Sequence, residues 1–218
     1  AAITSLKYQP NAGTNFKTSS MLSVYAVPKN LIARQELSGT ATSVTFADIP
    51  QTYDHLELTV YARSDRVHDN ELLYMEFNGD TTAANYDMQR LYGQSTSVTA
   101  SQSAATPEVG IITAGNATAN VFGGVTITIF NYTKTDRHKH RLSNGGSAWT
   151  ARDIVMIHSS RWESTAAVSS IVLDLAAGND FVAGSVFTLR GIHSTVAAAA
   201  TDIETINGIA AADIEAVN

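Results

Sequence analysis

The stretch His55-Leu56-Glu57-Leu58-Thr59-Val60-Tyr61-Ala62-Arg63-Ser64 decides the fold class. Leu56, Leu58, Val60 and Ala62 point one way, and Glu57, Thr59, Tyr61 and Arg63 the other. That period of two marks a strand with one face in a core. Residues 125–132 repeat it, with Val125, Ile127 and Ile129 set between Thr126, Thr128 and Phe130. Further strands are expected at 43–47, 72–78, 153–159, 170–175 and 185–191. Turn residues punctuate them at Asn78-Gly79-Asp80, Gly123-Gly124, Asn144-Gly145-Gly146 and Gly178-Asn179-Asp180. Strand signals recur every 10–25 residues and no long period-3.6 segment intervenes, which points to a sandwich rather than a parallel α/β sheet.

Composition agrees. The 218 residues are 44% hydrophobic, enough for a core, but only 16% charged, against roughly 25% in an ordinary globular domain. Hydroxyls fill the gap, with 25 Thr and 20 Ser; Thr suits a pleated, half-exposed surface and Ser suits turns. A net charge of −6 argues against a nucleic-acid partner. The absence of cysteine removes disulfides, thiolate zinc sites and cysteine nucleophiles together. No apolar run approaches the ~18 residues of a membrane span, so no membrane insertion is expected. The first residues carry neither a basic nor an apolar leader segment, so no signal peptide is expected. Two Asn-x-Thr sequons, at Asn116 and Asn131, are of the kind that chance supplies in a Thr-rich chain.

Charge divides the chain in three. Residues 1–35 hold Lys7, Lys17, Lys29 and Arg34 and no acid; residues 202–218 hold Asp202, Glu204, Asp213 and Glu215 and no base. The expected architecture is therefore an all-β, jelly-roll-like β-sandwich over 36–193, with an extended N-terminal arm at 1–35 and a linker and acidic tail at 194–218. About eight strands would make the jelly roll. Residues 94–120, with Glu108 as their single charge, read as a long surface loop or as one weak strand with flanking loops. In the tail, Asp202-Ile203-Glu204-Thr205-Ile206-Asn207 recurs as Asp213-Ile214-Glu215-Ala216-Val217-Asn218. An eleven-residue repeat can mark a right-handed helical supercoil, yet Asn207-Gly208 interrupts a helix; a disordered tail is the alternative. Oppositely charged ends suit arms that dock onto neighbours. Ile203, Ile206, Ile214 and Val217 are the apolar contacts such docking would cover.

Two clusters offer chemistry. Residues 63–71 (Arg-Ser-Asp-Arg-Val-His-Asp-Asn-Glu) pack acids and a histidine into a loop, as a calcium site would, but lack regular ligand spacing and read better as a solvated inter-strand loop. Residues 135–141 (Thr-Asp-Arg-His-Lys-His-Arg) are the densest basic run. Arg137, Lys139 and Arg141 could meet an acidic neighbour, such as a tail of the 202–218 type, and His138 and His140 would share a strand face. A charged edge strand that discourages aggregation is the plainer reading. Trp149 and Trp162, with Tyr53, Tyr61, Tyr74, Tyr86 and Tyr92, could line a sugar groove or pack the sandwich. Acids at Glu57, Glu71, Glu76, Asp80 and Asp87 fall in one region, as they would in any acidic β protein. There is no G-x-S-x-G, P-loop, opening G-x-G-x-x-G or H-E-x-x-H. No catalytic residue, metal or cofactor is expected.

Several short phrases carry a family resemblance. Ser43-Val44-Thr45-Phe46 leads to Ile49-Pro50-Gln51-Thr52-Tyr53-Asp54-His55-Leu56-Glu57-Leu58, then Ala62-Arg63-Ser64, Phe77-Asn78-Gly79, Leu91-Tyr92-Gly93, Ile129-Phe130-Asn131-Tyr132 and the closing Phe187-Thr188-Leu189-Arg190-Gly191-Ile192. In that order, over about residues 31–192, they resemble a group of tailed-bacteriophage virion proteins common in marine phages. Ile206-Asn207-Gly208-Ile209 is similar to repeats appended to phage appendage proteins. Arg190 stands where the family often has Tyr, and the family's domain usually begins nearer the chain start. The resemblance implies a non-enzymatic structural component of a virion, a multimeric tail-fibre or appendage protein that assembles through its arms with copies of itself and other virion proteins. A capsid decoration protein, or a glycan-binding receptor-recognition module on host surfaces, is the alternative.

Overall fold

The computed structural model describes residues 30–149, 152–193, 205–206 and 209–210. Twelve strands build two antiparallel sheets that face each other: β1 (Asn30–Glu36), β2 (Val44–Phe46), β3 (His55–Ala62), β4 (Asn70–Phe77), β5 (Tyr86–Gln94), β6 (Ser97–Ser103), β7 (Glu108–Thr113), β8 (Gly123–Phe130), β9 (Lys139–Trp149), β10 (Arg152–Trp162), β11 (Ile171–Leu175) and β12 (Val186–Ile192). The larger sheet runs β1-β12-β3-β8-β9-β10-β5-β6 and the smaller β2-β11-β4-β7. Pairing is nested: β1 with β12, β2 with β11, β3 with β8 and β4 with β7. Two hairpins, β5–β6 and β9–β10, stand outside this nest. They join side by side through β10 and β5 and attach to the large sheet through β8 and β9.

The core lies between the sheets and is the alternation of the sequence made physical. Leu56, Leu58, Val60, Val125, Ile127 and Ile129 are buried from the large sheet, and Leu73, Met75, Phe77, Ile171 and Leu173 from the small one. Asn78 (φ 54°) and Gly79 (φ 72°) form a turn in the left-handed region, where glycine and asparagine are least strained. Arg63 anchors the segment before β8: its guanidinium donates to the carbonyls of Gly115, Ala117, Thr118 and Val121 at 2.6–3.1 Å.

Four sequence expectations are corrected. Residues 94–120 are neither one loop nor one weak strand but contain β6 and β7, and β7 is buried at every position, with β8, β9 and β10 of the facing sheet packed against it. Asn144-Gly145-Gly146 is not a turn but the interior of β9. A Cβ at Gly145 would lie 2.4 Å from the Gly124 carbonyl oxygen and 2.9 Å from Met156 Cε, so the glycine serves close approach. The basic run does not form an edge strand: β9 is flanked by β8 and β10. Residues 63–71 are only partly a solvated loop, since Asn70 and Glu71 belong to β4 and Glu71 is buried, held by Arg66 at 3.1 Å and Asn179 at 3.1 Å.

At the ends, β1 begins at Asn30, so residues 30–35 join the large sheet against β12. In the tail, β13 (Thr205–Ile206) pairs antiparallel with β14 (Ile209–Ala210), which replaces the helical reading there with a strand ladder. Lys7, Lys17, Lys29, Ile203, Ile214 and Val217 lie outside the described residues, as does the side chain of Ile206.

Candidate interaction surface

The hairpins β5–β6 and β9–β10 give the large sheet an outer face of two characters. One row across it runs Thr188, Thr59, Thr126, Asn144, Ile157, Leu91, Ala100, turning from hydroxyls to apolar groups as it enters the hairpins. The next row ends in Gly146, Val155, Gly93 and Val98. Val98 is 74% exposed, Val155 68%, Leu91 47% and Ile157 46%; together they form a solvent-facing apolar patch. The sequence signal was Ile154-Val155-Met156-Ile157, apolar on both faces of one strand. Ile154 and Met156 fill the core, leaving Val155 and Ile157 to the outside.

Beside the patch, the rows Ser159–Gln89–Gln102 and His140–Arg161–Asp87 rim an open pocket of about 390 Å³. His140 Nε2 and Ser159 Oγ are 3.0 Å apart, and the imidazole stacks on Phe130. Partial desolvation, with the Arg141 charge adding to it, lowers the His140 pKa from its ordinary value. Arg161 Nε donates to Asp87 at 3.0 Å, and its Nη2 also reaches Glu163. The set offers amides, hydroxyls and a guanidinium shared between two carboxylates. Among the described residues no carboxylate orients His140 behind Ser159, and no group of three His, Asp or Glu residues could hold a metal ion.

On the inner face, a buried polar cluster secures the hairpins. Arg90 of β5 and His158 of β10 both meet the Glu108 carboxylate of β7, His158 Nε2 at 3.1 Å, and Arg90 lies over the Tyr92 ring. Glu108, the one charge of its stretch, is thus an internal anchor.

The expected site residues scatter. Arg137 is exposed and spent on Asp136, Oδ1 accepting from Nε at 2.7 Å. Arg34 pairs with Glu36 at 2.7 Å on the edge strand β1. Lys139 and Arg141 are corrections, for both are fully buried and neither can meet a docking partner. They share the inward-facing side of β9; Lys139 Nζ donates to the carbonyls of Lys134, Arg137 and Thr165, and burial lowers its pKa. Trp162 is a third correction: it is 3% exposed, packed edge-on against Phe77, with its indole N–H donated to Asp80 at 2.7 Å. No glycan reaches it. Trp149 ends β9, and its side chain lies outside the described residues. His138 and His140 are both exposed, without a third ligand beside them.

No family model matches the chain, and no curated protein or solved structure matches it either.

Proposed function

We propose that the chain is a non-enzymatic structural component of a tailed-phage particle, a multimeric tail-fibre or appendage protein built on a jelly roll widened by two hairpins. The nested pairing supports the jelly-roll reading. Without β5, β6, β9 and β10, the sheets are β1-β12-β3-β8 and β2-β11-β4-β7, an antiparallel ribbon folded over itself. The observation that carries the assembly reading is the apolar patch of Leu91, Val98, Val155 and Ile157 on an otherwise hydroxyl-rich face. Burying a fully exposed Val, Leu or Ile is worth about 1.5–3 kcal/mol, and each of these, 46–74% exposed, has about half or more of that still to gain, which favours contact with other protein. The order of sequence phrases over residues 31–192 supports a virion as the setting. The basic arm and the acidic repeat tail supply further docking segments of opposite charge.

A capsid decoration role shares this logic and differs in where the protein sits. A second reading, glycan recognition, is favoured by the pocket, where Gln89, Gln102, Ser159 and Asp87 present the amide, hydroxyl and carboxylate groups that bind sugar hydroxyls.

Immunogold electron microscopy on source particles, with antibody against residues 36–193, tests the proposal. Label on the tail or its fibres supports the appendage role; label over the head converts it to decoration. Absence of label from every particle overturns the virion reading.

A further inference from the structure

Among the described residues, strand β6 ends one side of the large sheet and pairs only with β5. None of its seven residues is buried, so the outer row of its backbone N–H and C=O groups faces solvent. The other sheet margins are guarded. On β1 Arg34 and Glu36 form an ion pair, and Gln35 donates to the Thr45 carbonyl of β2. β2 itself is three residues long, and β7 is buried throughout. β6 has no such guard: from Leu91 to Pro107 there is no charged side chain.

We propose that β6 pairs antiparallel with β6 of a second copy of this chain across a two-fold axis, joining two large sheets into one. A backbone edge is complementary to another strand. A two-fold axis pairs residue i of one copy with residue j of the other and j with i; in the register that uses all seven residues Ala100 alone faces itself, and a strand carrying one sign of charge would repel its copy. The missing charges over 91–107 remove that repulsion, and they argue for self-pairing over a charged foreign strand. The apolar rows reach the edge at Ala100 and Val98, so the joint makes the two patches continuous. The proposal deepens the assembly reading and rests on it.

The test uses the purified full chain, independent of any particle. Sedimentation velocity is expected to give twice the chain mass, with slow amide exchange over residues 97–103. Ala100→Lys, or Val98→Lys should the first misfold, halves the mass and speeds that exchange while the variant keeps the circular-dichroism spectrum and cooperative unfolding of a folded β protein. Because the chain has no cysteine, Ala100→Cys introduces a single thiol, and mild oxidation yields a covalent dimer. A monomeric wild type overturns the pairing. So does a dimer whose 97–103 amides exchange as fast as in the lysine variant, since that dimer is joined by the apolar faces, the arms or another surface. Failure here leaves immunogold labelling to judge the virion role separately.

Discussion

The Arg141 guanidinium, on a strand inside the large sheet, donates from Nη1 to the Met75 carbonyl of the small sheet at 2.6 Å. It lies 5.4 Å over the Phe77 ring and 5.2 Å over Tyr86. One cation thus pins the two layers, at the cost of a buried charge whose Nε and Nη2 find no acceptor among the described residues. Desolvation draws its pKa down to about 10.

That balance makes the shape of Arg141 worth more than its charge. Arg141→Met, of similar length, is expected to leave unfolding stability unchanged or raised, because a buried cation with two unpaired donors is removed. Arg141→Ala leaves a cavity and is expected to cost about 2–4 kcal/mol. Urea unfolding of both variants checks this; equal losses would show that the charge itself is the support.

A pH effect follows from Asp174 on β11. Burial raises its pKa above 3.8, its Oδ1 has no hydrogen-bond partner among the described residues, and Glu76 nearby is raised by burial, then by Asp174 and Asp80. A folded pKa above the unfolded value gives a contribution that is full below pH 3.8 and lost as pH rises through the folded value. Asp174→Asn is therefore expected to raise the denaturation midpoint at neutral pH, with the gain fading in acid. Chemical denaturation across that range reads the slope.

Gly145 and Gly124 separate close approach from chance. Gly145→Ala is expected to cost about 1–3 kcal/mol, since its Cβ meets the Gly124 carbonyl oxygen in the neighbouring strand. Gly124→Ala meets nothing within 4 Å and is expected to be nearly neutral. Thermal unfolding distinguishes them.

Trp162 should behave as core. Trp162→Ala is expected to cost about 3–5 kcal/mol, and Trp162→Phe about 1 kcal/mol through the lost hydrogen bond to Asp80. Host-cell binding by folded Trp162→Phe should match wild type. Gln89→Ala and Gln102→Ala, at the pocket, should weaken any glycan binding while leaving stability intact.

The alternation read at 55–64 and 125–132 was legible because each strand has one face in the core and one in solvent, whereas Gly123 and Gly124, read as a turn, open β8. β7 and β9 were harder. β7 is covered on both sides, so it reads only as a short apolar run, Val109 to Ile112, inside a Ser/Thr-rich stretch. The inward Lys139 and Arg141 carry the residue types of a surface, and their burial follows from carbonyls contributed by Met75 and Thr165, far away in the chain.

The sequence by itself determined an all-β sandwich, its principal core positions and its uneven charge, since these depend on local periodicity and composition. Tertiary structure decided where the edges fall, which cations are buried, and that Leu91, Val98, Val155 and Ile157 share one exposed face. Those features depend on which strands become neighbours. Strand order is set by long-range pairing, and a strand's own residues encode its two faces but not what will cover them.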